Sequence, residues 1–112
     1  YTTLFRSCDG RAALALARLE DLRQCGALKE DLVGLVEQFR RLRGVEASGI
    51  LREDAPGVYK LSLRSTGTTD VRSVAVQFGG GGHRNAAGGT LRMEGEEAFD
   101  AVRTALCRML RG

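Results

Sequence analysis

The sequence predicts a mixed α/β (α+β) domain, with helices packed on a small mixed sheet of about four to five strands. Three observations predict it. Residues 58–65 alternate strictly: Tyr59, Leu61 and Leu63 fall on one side, Lys60, Ser62 and Arg64 on the other. That period of two is a strand covered on one face. Residues 31–43 and 96–110 instead carry apolar side chains at helical spacing. Third, the run Gly79-Gly80-Gly81-Gly82-His83 separates a short helical stripe from another strand pattern, so the element order is mixed.

The elements follow in chain order. Residues 11–18 (RAALALAR) are short and mostly apolar, as in a buried strand. Residues 19–24 read as a helical turn ending near Gly26. Leu32, Leu35, Val36, Phe39 and Leu42 share one helical face, and Gly44 is placed to stop that helix. Residues 45–52 read as a strand, residues 53–57 (EDAPG) as a hairpin-type turn, and residues 58–65 as the partner strand. After a polar loop, Thr69 or Asp70 can cap a short helix whose buried stripe is Val71, Val74, Ala75 and Phe78. Residues 86–93 form a further strand. Residues 96–110 form a terminal amphipathic helix, with Ala98, Phe99, Val102, Ala105, Leu106 and Met109 on its apolar side.

A chain of 112 residues makes one domain with a modest core. No apolar stretch is long enough to span a membrane, and nothing at the start reads as a secretory signal. The expected location is the cytoplasm. A net charge of +3, from 15 Arg and 2 Lys against 14 acids, is too small to argue nucleic-acid binding alone. The arginine bias suits forked contact with phosphate, but a GC-rich genome produces it as well. Cys8, Cys25 and Cys107 are widely spaced and form no CxxC or Cys/His cluster. They are expected to be reduced thiols, with Cys107 packed in a helix and no metal site among them.

The first seven residues, Tyr1–Ser7 (YTTLFRS), fit none of the pattern that follows. They can be encoded as TAC ACG ACG CTC TTC CGA TCT, the end of a widely used sequencing-library adapter. Residues 1–7 are therefore expected to be non-native and residues 8–112 to be the domain proper. On that expectation, protein is missing on the N-terminal side.

Four successive glycines lose more backbone entropy on folding than any other residues would. What they offer in return is positive φ and exposed N–H groups that a phosphate can approach. His83 follows directly, with an imidazole able to donate to a phosphate oxygen or to move a proton. Arg64 ends the polar face of its strand, where a guanidinium can fork onto phosphate or a base edge. Ser62 and Ser65 flank it as hydroxyl donors, and Asn85 adds an amide. Ala86, Ala87 and Gly88 are small, as a close approach requires. Taken singly, the glycines could be a linker, the histidine structural and the arginine solvated.

Taken together and in this order, the segment 60–91, KLSLRSTGTTDVRSVAVQFGGGGHRNAAGGTL, resembles the DHH-associated domain of the DHH phosphoesterase superfamily. The likeness runs from about Gly10 to Leu110, and GGGGHxxAAG is its most diagnostic part. Within the superfamily the segment is most similar to the oligoribonuclease/pAp-phosphatase (NrnA-like) group. The resemblance implies a two-domain hydrolase whose N-terminal DHH domain binds two divalent cations, usually manganese. The C-terminal domain would close over the substrate, with Gly79, Gly80, Gly81, Gly82 and His83 on the phosphate near the scissile bond. His83 would steady the charge developing there, while Arg64, Ser65 and Asn85 complete the binding set. The implied substrates are short single-stranded RNA or 3′-phosphoadenosine 5′-phosphate (pAp), and the implied partner is the upstream DHH domain. The sequence does not decide whether the protein is a homodimer. No Asp-His-His triplet is present and there is one histidine, so this chain alone is expected to bind no metal and hydrolyse nothing. The alternatives are a cyclic-di-AMP or RecJ-type phosphodiesterase fragment and a non-catalytic module for single-stranded nucleic acid.

Overall fold

In the computed structural model, the described residues are 2–20, 38, 41 and 43–111, with side chains from residue 8 onward. Their elements are β1 (Thr2–Ser7), β2 (Ala12–Ala17), β3 (Ala47–Ala55), β4 (Val58–Ser65), α1 (Arg72–Gln77), β5 (Gly81–His83), β6 (Ala86–Arg92) and α2 (Gly95–Arg111). The strands form one six-stranded mixed sheet in the order β1-β2-β3-β4-β6-β5. Only the β2–β3 pair is parallel; the others are antiparallel. Five strands come from residue 12 onward, within the four to five expected: the four placed from the sequence, and β5 inside the glycine run. The sixth, β1, comes from residues 2–7, which lay outside the expected domain. Its contribution to the sheet is main-chain pairing with β2, which an edge strand accepts without regard to sequence.

Alternation places the core. Tyr59, Leu61 and Leu63 of β4 are buried and join Leu14, Leu16, Leu51, Ala87 and Leu91 from the neighbouring strands. The two helices lie on that face. α1 contributes Val74 and Ala75, preceded by Val71, and α2 contributes Ala98, Phe99, Val102, Ala105 and Leu106. The Glu94 carboxylate caps α2 by accepting from the Glu96 and Glu97 N–H groups. A second buried cluster, Ala13, Ala15, Ala17, Val45 and Ile50, occupies the β2–β3 part of the other face.

Three expectations need correction or fall outside the described residues. β3 runs on to Ala55, so residues 53–55 belong to the strand and only Pro56-Gly57 forms the turn. The expected helix at 31–43, and Cys25, lie outside the described residues apart from a helical Gln38 and the turn at 41 and 43–44. The cysteines differ most. Cys8 and Cys107, expected as reduced thiols, are joined in a disulfide with their Cα atoms 5.4 Å apart. The turn after β1 brings Cys8 beside α2, within the range a disulfide spans. Cys8 and Asp9 hold left-handed φ values of 58° and 59° there, a conformation that costs a side chain energy. The expectation of reduced thiols is therefore corrected for Cys8 and Cys107. No helix among the described residues is long and apolar enough to cross a membrane.

The cross-link closes a loop with a sequence separation of 99 residues, so its effect on the unfolded chain should be large. Reduction, or Cys107→Ser, should lower the unfolding free energy by about 2–4 kcal/mol. Denaturant melts with and without reductant measure it; coincident curves would contradict the structural role.

Candidate phosphate site

The site begins where α1 ends. Gly79 takes φ +76° and its N–H donates to the Val76 carbonyl at 3.1 Å, while the Gly80 N–H reaches the Ala75 carbonyl at 2.9 Å. This pair of bonds is the Schellman termination, which satisfies the last helical carbonyls and favours glycine at the left-handed position. The chain then turns along the free edge of β6. A Cβ on Gly80 would lie 2.8 Å from the Gly89 Cα, and one on Gly82 would lie 2.7 Å from the Ala87 Cα. Both positions exclude a side chain because the two backbones approach so closely. The expectation of a uniform glycine loop is thus revised: Gly81, Gly82 and His83 form the edge strand β5.

Each glycine but one has an internal reason. Helix termination requires Gly79, and backbone approach requires Gly80 and Gly82. Gly81 has no left-handed φ, and a Cβ there would meet nothing within 4 Å. Nor are the four N–H groups equivalent, since those of Gly79 and Gly80 already serve α1.

Register brings the expected residues Arg64 and His83 together. Arg64 of β4 pairs with Ala86 of β6, and Ala86 pairs with His83 of β5. Directly paired residues share a sheet face, so Arg64 and His83 flank the small Ala86, roughly 10 Å apart at two strand spacings. The next row is Ser62, Gly88 and Gly81, again small, and Lys60 follows opposite Thr90. Lys60 Nζ donates to Thr90 Oγ1 at 3.0 Å. Arg64 Nη1 donates to the Leu63 carbonyl at 2.9 Å. His83 is exposed and Arg64 half-buried. The result is a floor of small residues bordered by Arg64, Lys60 and His83, on the face opposite the two described helices, where Ser48 and Ile50 one strand away are buried.

Ser65 and Asn85 stand elsewhere. Ser65 lies one residue past Arg64, so alternation turns it to the core side, where it is 1% exposed. Its hydroxyl donates toward the Thr69 carbonyl at 2.6 Å, with the Arg84 carbonyl at 3.1 Å. Asn85 Nδ2 donates to Ser65 Oγ at 3.0 Å and to the Gly67 carbonyl at 3.2 Å. Both side chains are engaged with the strap of residues 66–70 rather than with the open face. Strand parity alone could have separated Ser65 from Arg64 at the level of sequence.

The strap is also tied to the start of β3. The Thr66 N–H donates to the Glu46 carbonyl at 3.1 Å, and the Arg11 guanidinium forks onto the Glu46 carboxylate, with Nη2 at 3.2 Å from Oε1. That guanidinium holds the Glu46 carboxyl below the usual carboxylate range. No group of three His, Cys, Asp or Glu side chains among the described residues could hold a metal ion. A concavity of about 420 Å³ lies at the far end of β4, around Arg18, Tyr59 and Glu94. Its polar groups pair with one another: Arg18 Nη1 stands 3.4 Å from the Tyr59 hydroxyl and 3.6 Å from Glu94 Oε1. Burial pushes the Tyr59 hydroxyl pKa up.

This geometry defines a small α/β domain with a glycine-rich hairpin at the edge of its sheet. Residues 13–112 match the DHHA1 domain, and the chain belongs to that family. It is 38% identical over 78 residues to the bifunctional oligoribonuclease and PAP phosphatase NrnA of Thermus thermophilus, covering 69% of this chain and 23% of that protein. An exopolyphosphatase-related protein from Bacteroides fragilis superposes with a TM-score of 0.84 at 30% identity, over 99% of this chain and 33% of that one. The chain thus spans about a quarter to a third of these relatives. The C-Ala domain of Aquifex aeolicus alanyl-tRNA synthetase shares the fold, with a TM-score of 0.64 at 15% identity, covering 89% of this chain and 92% of that one.

The Glu46 carboxyl pKa is depressed in the folded chain, so its contribution is present above the unfolded carboxyl pKa of about 4.3 and is lost as pH falls through the folded value. Glu46→Gln should therefore flatten the acid limb of a stability-versus-pH curve. An acid limb identical in both proteins would remove Glu46 from that role. The effect should be modest, because the Arg11 and Glu46 side chains are 40% and 39% exposed.

Proposed function

We propose that this chain is the substrate-binding domain of a metal-dependent phosphoesterase acting on short RNA oligonucleotides, on pAp, or on both. Gly81 carries the reading. It is the one member of the glycine run that neither backbone conformation nor internal packing requires, and it borders the open row beside Arg64 and His83. A phosphate seated there would meet main chain on one side and two cationic or donor groups on the other. The Arg64 guanidinium, whose Nη1 donates to the Leu63 carbonyl, would turn its remaining N–H groups onto phosphate oxygens, and His83 would add a further donor.

In this proposal the water-activating metals, two divalent cations with manganese as the expected ion, are held by an upstream DHH domain. Similarity to the Thermus bifunctional oligoribonuclease and PAP phosphatase supports the assignment of reaction and substrate. Residues 1–7 are proposed to be adapter-derived; a native gene that reads through the same heptapeptide would overturn that.

Two experiments test the reading. Gly81→Ala should leave the melting curve unchanged and weaken pAp binding by about tenfold or more, since a methyl group would stand where the ligand approaches. Equal affinity in the variant would remove Gly81 from the site. Joined to a DHH domain, the chain should support manganese-dependent hydrolysis of pAp or short RNA, and His83→Ala should reduce turnover by roughly 10²-fold, as loss of an oxyanion donor does. Absence of hydrolysis in the joined protein would overturn the assignment.

A further inference from the structure

The hairpin that carries His83 does not hold itself in shape. Its loop has two residues, Arg84 and Asn85, between the paired His83 and Ala86. Loops of this length favour turns with left-handed residues, whose twist matches that of the strands. Neither loop residue is left-handed: among the described non-glycine residues, positive φ occurs at Cys8 and Asp9. What the turn lacks, the strap at 66–70 and its flanks supply. The Val71 N–H donates to the Arg84 carbonyl at 2.9 Å, and the Ser65 N–H to the Asn85 carbonyl at 3.1 Å. The Asn85 amide then fastens the loop side-on. Nδ2 lies 3.0 Å from Ser65 Oγ, 3.2 Å from the Gly67 carbonyl and 3.5 Å from the Thr69 carbonyl. All three partners are hydrogen-bond acceptors toward this group, so an N–H donor is needed at that point. Ser65, 1% exposed, anchors the cluster to the residue next to Arg64.

We propose that Asn85 is a positioning residue for the phosphate site. It sets His83 and Gly81 in register with Arg64 through its side-chain N–H donors, and it does not touch the ligand. This rests on the phosphate-binding reading of the same face. Asn85 is one residue from the strand pair that ends at His83, and its bonds lead to the residue following Arg64. It therefore links the two sides of the site by a path separate from the β4–β6 ladder.

The test uses the 112-residue chain, with pAp as the probe. Asn85→Asp keeps the shape and removes the donors; Asn85→Ala removes both; Ser65→Ala deletes one acceptor and leaves Asn85 in place, should either other variant fold poorly. Amide hydrogen exchange at Gly82, His83 and Ala86 should accelerate about tenfold in each variant, while amides in the middle of α2 keep their protection. Affinity for pAp, followed by the shifts of the Gly81 amide and the His83 ring, should fall about tenfold in Asn85→Asp and Asn85→Ala. The double variant with Ser65→Ala should lose less than the sum of the single losses. Unchanged hairpin exchange would overturn the proposal, as would a loosened hairpin with undiminished affinity. An unaltered chain that ignores pAp would count against the phosphate reading, and the exchange comparison would still decide whether Asn85 holds the hairpin.

Discussion

The close approach of two backbones at the free edge of the sheet is the constraint on which the site depends. Gly80 runs against Gly88 and Gly89, and Gly82 against Ala86 and Ala87, at distances that admit no Cβ. This contact converts the end of α1 into a strand and swings His83 into the row of Arg64. A side chain at either glycine would lift β5 from β6 and separate the two groups. Helix termination at Gly79 starts the same movement by satisfying the Val76 and Ala75 carbonyls.

Everything else keeps that edge in place. The face behind it is filled by Leu61, Leu63, Ala87 and the apolar sides of both helices. Alternation in β4 then leaves Lys60, Ser62 and Arg64 on the face opposite the two described helices. The strap between β4 and α1 grips the hairpin loop from the side, and Glu46 with Arg11 ties the strap to the start of β3. At the opposite side of the sheet the Cys8–Cys107 bond fixes α2 to the turn before β2. Core, strap and cross-link thus hold a backbone arrangement that glycines alone would not keep ordered.

Much of this was legible in the sequence because it follows from periodicity. The strict alternation of 58–65 and the stripe from Ala98 to Leu106 report local geometry, and the structure has both. Arg64 and His83 were legible as a pair because strand patterns bracket them. The disulfide was not legible, since residues 99 positions apart meet through sheet order, which spacing does not encode. Gly81–His83 could not be read as a strand, because glycine has no β-propensity and the pairing is decided by the neighbouring edge. The inward turn of Ser65 was available from parity with Tyr59, Leu61 and Leu63. Its place beside Arg64 in the chain hid the difference in face.

The central claim is that a phosphate sits on the small-residue floor between Gly81, His83 and Arg64. Titration of the isotopically labelled chain with pAp, followed through backbone amides, the His83 ring and arginine Nε signals, tests it most directly. The account predicts that signals of Gly81, Gly82, His83 and Arg64 move together and saturate, while those of β2 and of the α2 face toward the core stay still. Saturable shifts centred instead on Arg18, Tyr59 and Glu94, or no shift at His83 and Arg64, would contradict it.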